Sequence, residues 1–140
     1  MKLVILMGLP GSGKSTLCET EYKGYTRINQ DALGSRDKCM LDAHKALQSE
    51  EDVVVDRCNI NEAQRCYWIK LGLKYDADEI ICHWVQTPIE ECLKRIQNRE
   101  GHPTIPKETS LDKIEQIVYS FNKSLEQPRL SEGLTRIIIS

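Results

Sequence analysis

Gly8-Leu9-Pro10-Gly11-Ser12-Gly13-Lys14-Ser15 is the densest piece of potential chemistry in the sequence. Its pattern, G-x-x-x-x-G-K-[ST], suits a polyphosphate. Glycines let backbone N–H groups close on phosphate oxygens with no β-carbon in the way, and Gly8, Gly11 and Gly13 stand where that is needed. Lys14 supplies a mobile ammonium for β- and γ-phosphates, and the Ser15 hydroxyl can ligate Mg²⁺. Ser12 and Thr16 complete the set expected around the nucleotide.

Further along, Val53-Val54-Val55-Asp56 is an apolar run ending in a carboxylate, the pattern of a second strand end near the metal. Asp31 follows the short run Tyr25–Ile28, so it is expected at the carboxyl edge of a sheet, in reach of an acceptor hydroxyl. Arg95 and Arg99 share one helix face at a spacing of four. They lead into Glu100-Gly101-His102-Pro103-Thr104-Ile105-Pro106, whose turn residues suggest a lid over about 95–110. Cations that close on a transferring phosphoryl group, with a carboxylate to take the acceptor proton, are the parts of a phosphotransferase.

A GTPase makes a different demand. Asp31-Ala32-Leu33-Gly34 matches D-x-x-G, but the guanine-reading N-K-x-D is missing. Asn122-Lys123-Ser124-Leu125 ends in Leu and falls inside an amphipathic stretch. That reading fails. His44, His83 and His102 are scattered and read as structural, and Tyr67 and Trp68 read as packing on a helix. Asn122-Lys123-Ser124 also matches a glycosylation sequon, which is without meaning in an intracellular protein.

These residues need a scaffold, and the pattern of the 140 residues supplies one. Apolar, β-branched runs at Lys2–Met7, Tyr25–Ile28, Val53–Asp56, Glu79–Val85 and Thr135–Ile139 alternate with amphipathic stretches. The stretches are Lys14–Tyr22, Arg36–Ser49, Glu62–Leu73, Pro88–Arg99 and Leu111–Glu126. Asn61 with Gln64 and Thr87 with Glu90 fit capping boxes, and Ser110 is a third N-cap. Such alternation predicts an α/β fold with a five-stranded parallel sheet between helices, in one domain over 1–140. Apolar residues at 40%, charged residues at 29% and a net charge of −2 exclude disorder and a wholesale basic nucleic-acid coat. No apolar run is long enough for a membrane helix, and the N-terminal run lacks a cleavage site, so an intracellular protein without a membrane role is expected. Cys18, Cys39, Cys58, Cys66, Cys82 and Cys92 form no C-x-x-C pair and read as small reduced hydrophobes.

With these blocks in place, the chain resembles the polynucleotide 5′-kinases, including the phage end-healing enzyme and the kinase module of eukaryotic repair kinase–phosphatases. The resemblance rests on Gly8–Thr16, then Ile28-Asn29-Gln30-Asp31-Ala32-Leu33-Gly34-Ser35, then Val55-Asp56-Arg57-Cys58-Asn59-Ile60-Asn61 with Arg65. It ends on Arg95-x-x-x-Arg99 and the segment from Gly101 to Pro106, which is similar to kinase modules fused to histidine-triad domains. It implies a P-loop kinase fold with a short lid. It further implies Lys14 and Ser15 at the ATP phosphates and Mg²⁺, Asp31 as general base on a 5′-hydroxyl, and Arg99 and Arg95 as lid arginines. The substrate it implies is a 5′-OH end of DNA or RNA, within a multifunctional end-repair protein.

Three positions depart from the family pattern. Gln30 stands where the family has Arg, Gly34 where the phage enzyme has its acceptor-phosphate Arg, and Cys58 where repair kinases have Thr. Arg36, Arg57 and Asn59 are therefore the expected acceptor-binding residues. A kinase of a nucleoside or another small hydroxyl compound, and a non-catalytic nucleotide-binding module, are the competing readings.

Overall fold

Leu3-Val4-Ile5-Leu6-Met7 has no polar residue to turn toward water, so it demands cover on both faces. In the computed structural model, which describes residues 1–29, 36–98 and 110–140, these side chains are fully buried in strand β1 (Lys2–Met7). β1 is the middle of a five-stranded sheet, ordered β2-β3-β1-β4-β5. The neighbours are β2 (Thr26–Ile28), β3 (Val53–Val55), β4 (Glu79–Trp84) and β5 (Arg136–Ile139). All pairings are parallel, as crossover connections through helices require. This is the expected α/β fold of the P-loop kinase type.

Alternation along β1 divides the core. Leu3, Ile5 and Met7 meet Cys39, Ala43 and Leu47 of α2 (Arg36–Gln48) and Trp68 and Ile69 of α3 (Glu62–Lys74). Val4 and Leu6 face the other way, onto Cys18 of α1 (Lys14–Glu19) and Tyr22. Helices α4 (Ile89–Asn98) and α5 (Leu111–Lys123) pack Cys92, Ile96, Ile114 and Val118 together and onto Leu9. Among the described residues no helix is long and apolar enough to cross a membrane.

Local chemistry explains where elements start and stop. Helix α1 ends at Glu19 rather than at Tyr22, because the Thr20 hydroxyl bonds back to the Thr16 carbonyl at 2.8 Å and the chain turns there. Asn61 caps α3, its side chain accepting from Gln64 N–H at 2.9 Å. Gln64 Oε1 accepts from Ile60 N–H, one residue earlier than a capping box expects. Ser110 caps α5 as expected. Thr87 does not cap α4: its hydroxyl donates instead to the Ser12 carbonyl, at 2.6 Å.

The short helical turn Leu130–Glu132 carries the deepest ion pair among the described residues. Arg65, fully buried, donates from Nε and Nη2 to the two carboxylate oxygens of Glu132, at 2.9 and 3.2 Å, and from Nη1 to the Asn59 carbonyl. Removing one partner of such a pair strands the other's charge away from water. Glu132→Ala should cost about 3–5 kcal/mol, read as a lower urea midpoint at unchanged slope. An Arg65→Met/Glu132→Leu double variant should recover most of that loss.

Candidate functional site

Because every strand is parallel, all five carboxyl ends reach the same edge of the sheet, and the residues that follow them converge there. Ile5 and Ile28 both pair with Val55, and Met7 pairs with Trp84. Asp56 and Asn29 are the next residues along, level with Leu6, and Gly8 and Val85 stand level with each other two residues further along β1.

The phosphate loop begins at Gly8, whose N–H donates to the Cys58 carbonyl at 3.0 Å. A β-carbon at Gly8 would lie 2.6 Å from Ser12 Oγ. Gly11 has φ +80° and would place a β-carbon 2.7 Å from the Cys92 carbonyl oxygen of α4. The turn is thus both left-handed at Gly11 and tightly walled, which excludes other residues. Lys14 is 8% exposed, and its ammonium donates to the carbonyls of Gly8 and Leu9 at 3.0 and 2.8 Å and to Ser12 Oγ at 3.3 Å. It is a nearly buried cation held by neutral oxygens, ready to exchange them for an anion.

Beside the loop, Ser15 Oγ donates to Asp56 Oδ2 at 3.4 Å. These are hard oxygen ligands, suited to Mg²⁺. Among the described residues no group of three or more His, Cys, Asp and Glu side chains could hold a metal ion by itself. The donor set fits Mg²⁺ only as an ion that shares its shell with nucleotide phosphates. Arg27 Nε and Nη2 donate to the same Oδ2 at 2.9 and 2.5 Å, and Asn29 Nδ2 does so at 3.2 Å.

On the α4 side, a cleft of about 600 Å³ opens between Ser12, Gly13, Thr16, Leu17, Arg95 and Ser140. Arg95 Nη1 donates to the Ser12 carbonyl at 3.0 Å, joining Thr87 on that oxygen, and its Nε pairs with Glu91 at 3.4 Å. Two donors on one carbonyl fix the peptide plane after Ser12, and so the direction of the Gly13 N–H. From Ser140 on the cleft a hydrogen-bonded chain runs into the core: Ser140 Oγ lies 2.9 Å from His83 Nε2, and buried His83 Nδ1 lies 2.5 Å from Tyr22 OH. Burial lowers the pKa of His83 and pushes the Tyr22 hydroxyl up to about 12.

The predicted site residues fall into four groups. Gly8, Gly11, Ser12, Gly13, Lys14, Ser15, Thr16, Asp56 and Arg95 are brought together at the sheet edge. Arg57, half-buried, follows Asp56 directly. Asp31, Arg99, the 99–109 part of the lid and the Arg36 side chain lie outside the described residues. Asn59 departs from expectation. It is 2% exposed, adopts φ 45°, and donates from Nδ2 to the Leu6 carbonyl at 2.7 Å and to the Arg57 carbonyl. Its amide pins the loop after β3 to β1 instead of facing an acceptor, and Asn tolerates the left-handed backbone this takes. Burial pushes the Cys58 thiol up in pKa, against the pull of the nearby Lys14 ammonium. Arg27 and Thr87 were not singled out as site residues by sequence reasoning, yet each bonds directly to it.

The sequence profile described as AAA domain matches residues 40–124. The chain is 32% identical over 148 residues to a protein named transcription factor bHLH140 from Arabidopsis thaliana, covering 97% of this chain and 15% of that protein. It is 33% identical over 141 residues to a bifunctional polynucleotide phosphatase/kinase of Schizosaccharomyces pombe, covering 97% of this chain and 32% of that protein. The chain thus spans a third or less of these relatives' length. Among solved structures, a fungal RNA kinase superposes with a TM-score of 0.70 at 16% identity, covering 99% of this chain and 73% of that one. At that identity the likeness is one of fold.

Proposed function

The chain belongs to the AAA-domain family, and we propose that it is an ATP-dependent polynucleotide 5′-kinase, which moves the γ-phosphate to a 5′-OH end of DNA or RNA. The observation that carries the phosphotransfer is the meeting of Ser15 Oγ and the Asp56 carboxylate, 3.4 Å apart, at the root of a glycine-walled phosphate loop. The polynucleotide acceptor is supported by the resemblance of the Ile28–Ser35 and Val55–Asn61 segments to the polynucleotide 5′-kinases. It is supported also by the fission-yeast relative, whose name includes a polynucleotide kinase.

In this reading Lys14 leaves the Gly8 and Leu9 carbonyls for the β- and γ-phosphates. Ser15 and Asp56 would hold Mg²⁺ together with the nucleotide phosphates, and the ion, when bound, draws charge from the transferring phosphoryl oxygens. Asp31 takes the proton of the 5′-hydroxyl as its oxygen bonds to the γ-phosphorus. The bond from that phosphorus to the β,γ-bridging oxygen breaks, and ADP leaves. Arg95 and Arg99 stabilise the charge that builds on the departing phosphates, while Arg57 and Arg36 are the candidates to grip the acceptor's first phosphate.

The decisive experiment offers labelled ATP and Mg²⁺ with 5′-OH oligonucleotides, free nucleosides and small alcohols. Label should pass to the oligonucleotides at least a hundredfold faster than to the other acceptors. Equal transfer to nucleosides or alcohols defeats the polynucleotide reading and leaves a small-molecule kinase. No transfer to any acceptor, with ATP still bound, leaves a nucleotide-binding module.

A further inference from the structure

Four donor atoms from three side chains converge on one oxygen, Oδ2 of Asp56: Ser15 Oγ, Asn29 Nδ2 and both Nε and Nη2 of Arg27. The Asp56 side chain is 5% exposed and that of Arg27 is 35% exposed, so the carboxylate is sealed in while the guanidinium borders solvent. Arg27 reaches this point from β2, across the end of β3. Its fork lies on the oxygen nearest Ser15, where the proposed phosphotransfer needs a metal.

Sign decides what this arrangement does. Among the described residues, Asp56 carries one negative charge and Arg27 lays a positive one directly on it, with Glu19 also acting on Arg27; Lys14, next to Ser15 in the chain, brings a second cation to the phosphate loop. A free divalent cation arriving there meets a guanidinium already on its carboxylate. A metal–triphosphate complex is an anion overall, so the same two cations attract it. Once seated, its phosphates offset Lys14 and Arg27. We infer that Arg27 is a positioning residue that withholds Asp56 from free divalent cations and reserves the site for a cation delivered on a nucleotide.

This inference rests on the phosphotransferase reading for its purpose, but its test needs neither an acceptor nor turnover. Mn²⁺ binding to the nucleotide-free protein is followed by the loss of the free-ion paramagnetic resonance signal. Arg27→Gln removes the charge, and Mn²⁺ affinity should rise at least tenfold over the original protein. Arg27→Lys keeps a cation and should stay within about threefold of the original protein, although its point charge cannot reproduce the fork. Metal-free ATP, an anion, should bind several-fold more weakly to Arg27→Gln. Adding Asp56→Asn to Arg27→Gln should abolish the gained Mn²⁺ binding, which ties it to this carboxylate.

Should Arg27→Gln not fold, Arg27→Met retains the apolar stem and must show the same gain. Unchanged Mn²⁺ affinity in a folded charge-free variant overturns the inference, as does an equal gain in Arg27→Lys. Failure of every acceptor in the transfer assay would remove the kinase reading and leave the Mn²⁺ result standing.

Discussion

Lys14→Met should lose at least about a thousandfold in turnover while the protein keeps or slightly raises its thermal midpoint. The kinetic loss follows from removing a preorganised cation aimed at charge that grows in the transition state, where even a single neutral donor is worth about 10²–10³. The stability half comes from the structure. The Lys14 side chain is nearly buried, and its ammonium bonds to neutral oxygens of Gly8, Leu9 and Ser12. A desolvated charge with no anionic partner among the described residues is costly to the free protein, and methionine keeps the stem while removing that charge. Thermal unfolding without nucleotide, set beside steady-state transfer rates, reads both halves. Near-normal turnover in Lys14→Met would overthrow the phosphate-loop assignment.

This residue marks how far the sequence can be read. That Lys14 belongs to a phosphate loop is legible from spacing alone, since the chemistry needs those residue types in that order. That the free protein folds the ammonium back onto its own carbonyls is not, because it depends on the three-dimensional path from Gly8 to Ser12. The strands were legible for a similar reason. Runs such as Val53–Val55 and Leu3–Met7 carry no polar face, and a parallel sheet covered on both sides is where such runs are stable.

The misreadings are local patterns overruled by distant partners. Thr87-Pro88-Ile89-Glu90 has the order of a helix cap, yet the Thr87 hydroxyl finds Ser12, far away in sequence, and bonds to it. Asn59 looked available to a substrate because polar residues after a strand often are. Its amide instead meets Leu6, the neighbouring strand's carbonyl. Arg27 escaped notice because it precedes the end of β2, and only the register of β2 on β3 brings it to Asp56. Arg65 and Glu132 are remote in sequence, and nothing near either one announces the pair. Residues in fixed motifs, Lys14 among them, are readable; a cation such as Arg27, which attends Asp56 from another strand, is set by topology.

Asp31→Asn should reduce the chemical step by about 10²–10⁴ with ATP affinity nearly unchanged. Asn retains the size and hydrogen-bonding reach of Asp but cannot accept the proton of the 5′-hydroxyl. Asp31 follows Asn29 closely in the chain, and Asn29 is tied to Asp56, which also accepts from Ser15 of the phosphate loop. Single-turnover transfer from saturating ATP isolates the chemistry from binding and product release. A second readout separates a base from a binding group. If Asp31 acts by accepting the proton, the acid limb of the rate–pH profile should flatten in Asp31→Asn, while oligonucleotide affinity stays within about threefold. A binding role would instead weaken the acceptor and leave the acid limb intact. Nucleoside 3′-phosphates should be much better acceptors than nucleosides, because Arg57 or Arg36 needs that phosphate to grip. Strand affinity should accordingly fall as salt rises. Wild-type single-turnover rates in Asp31→Asn would remove Asp31 as the base.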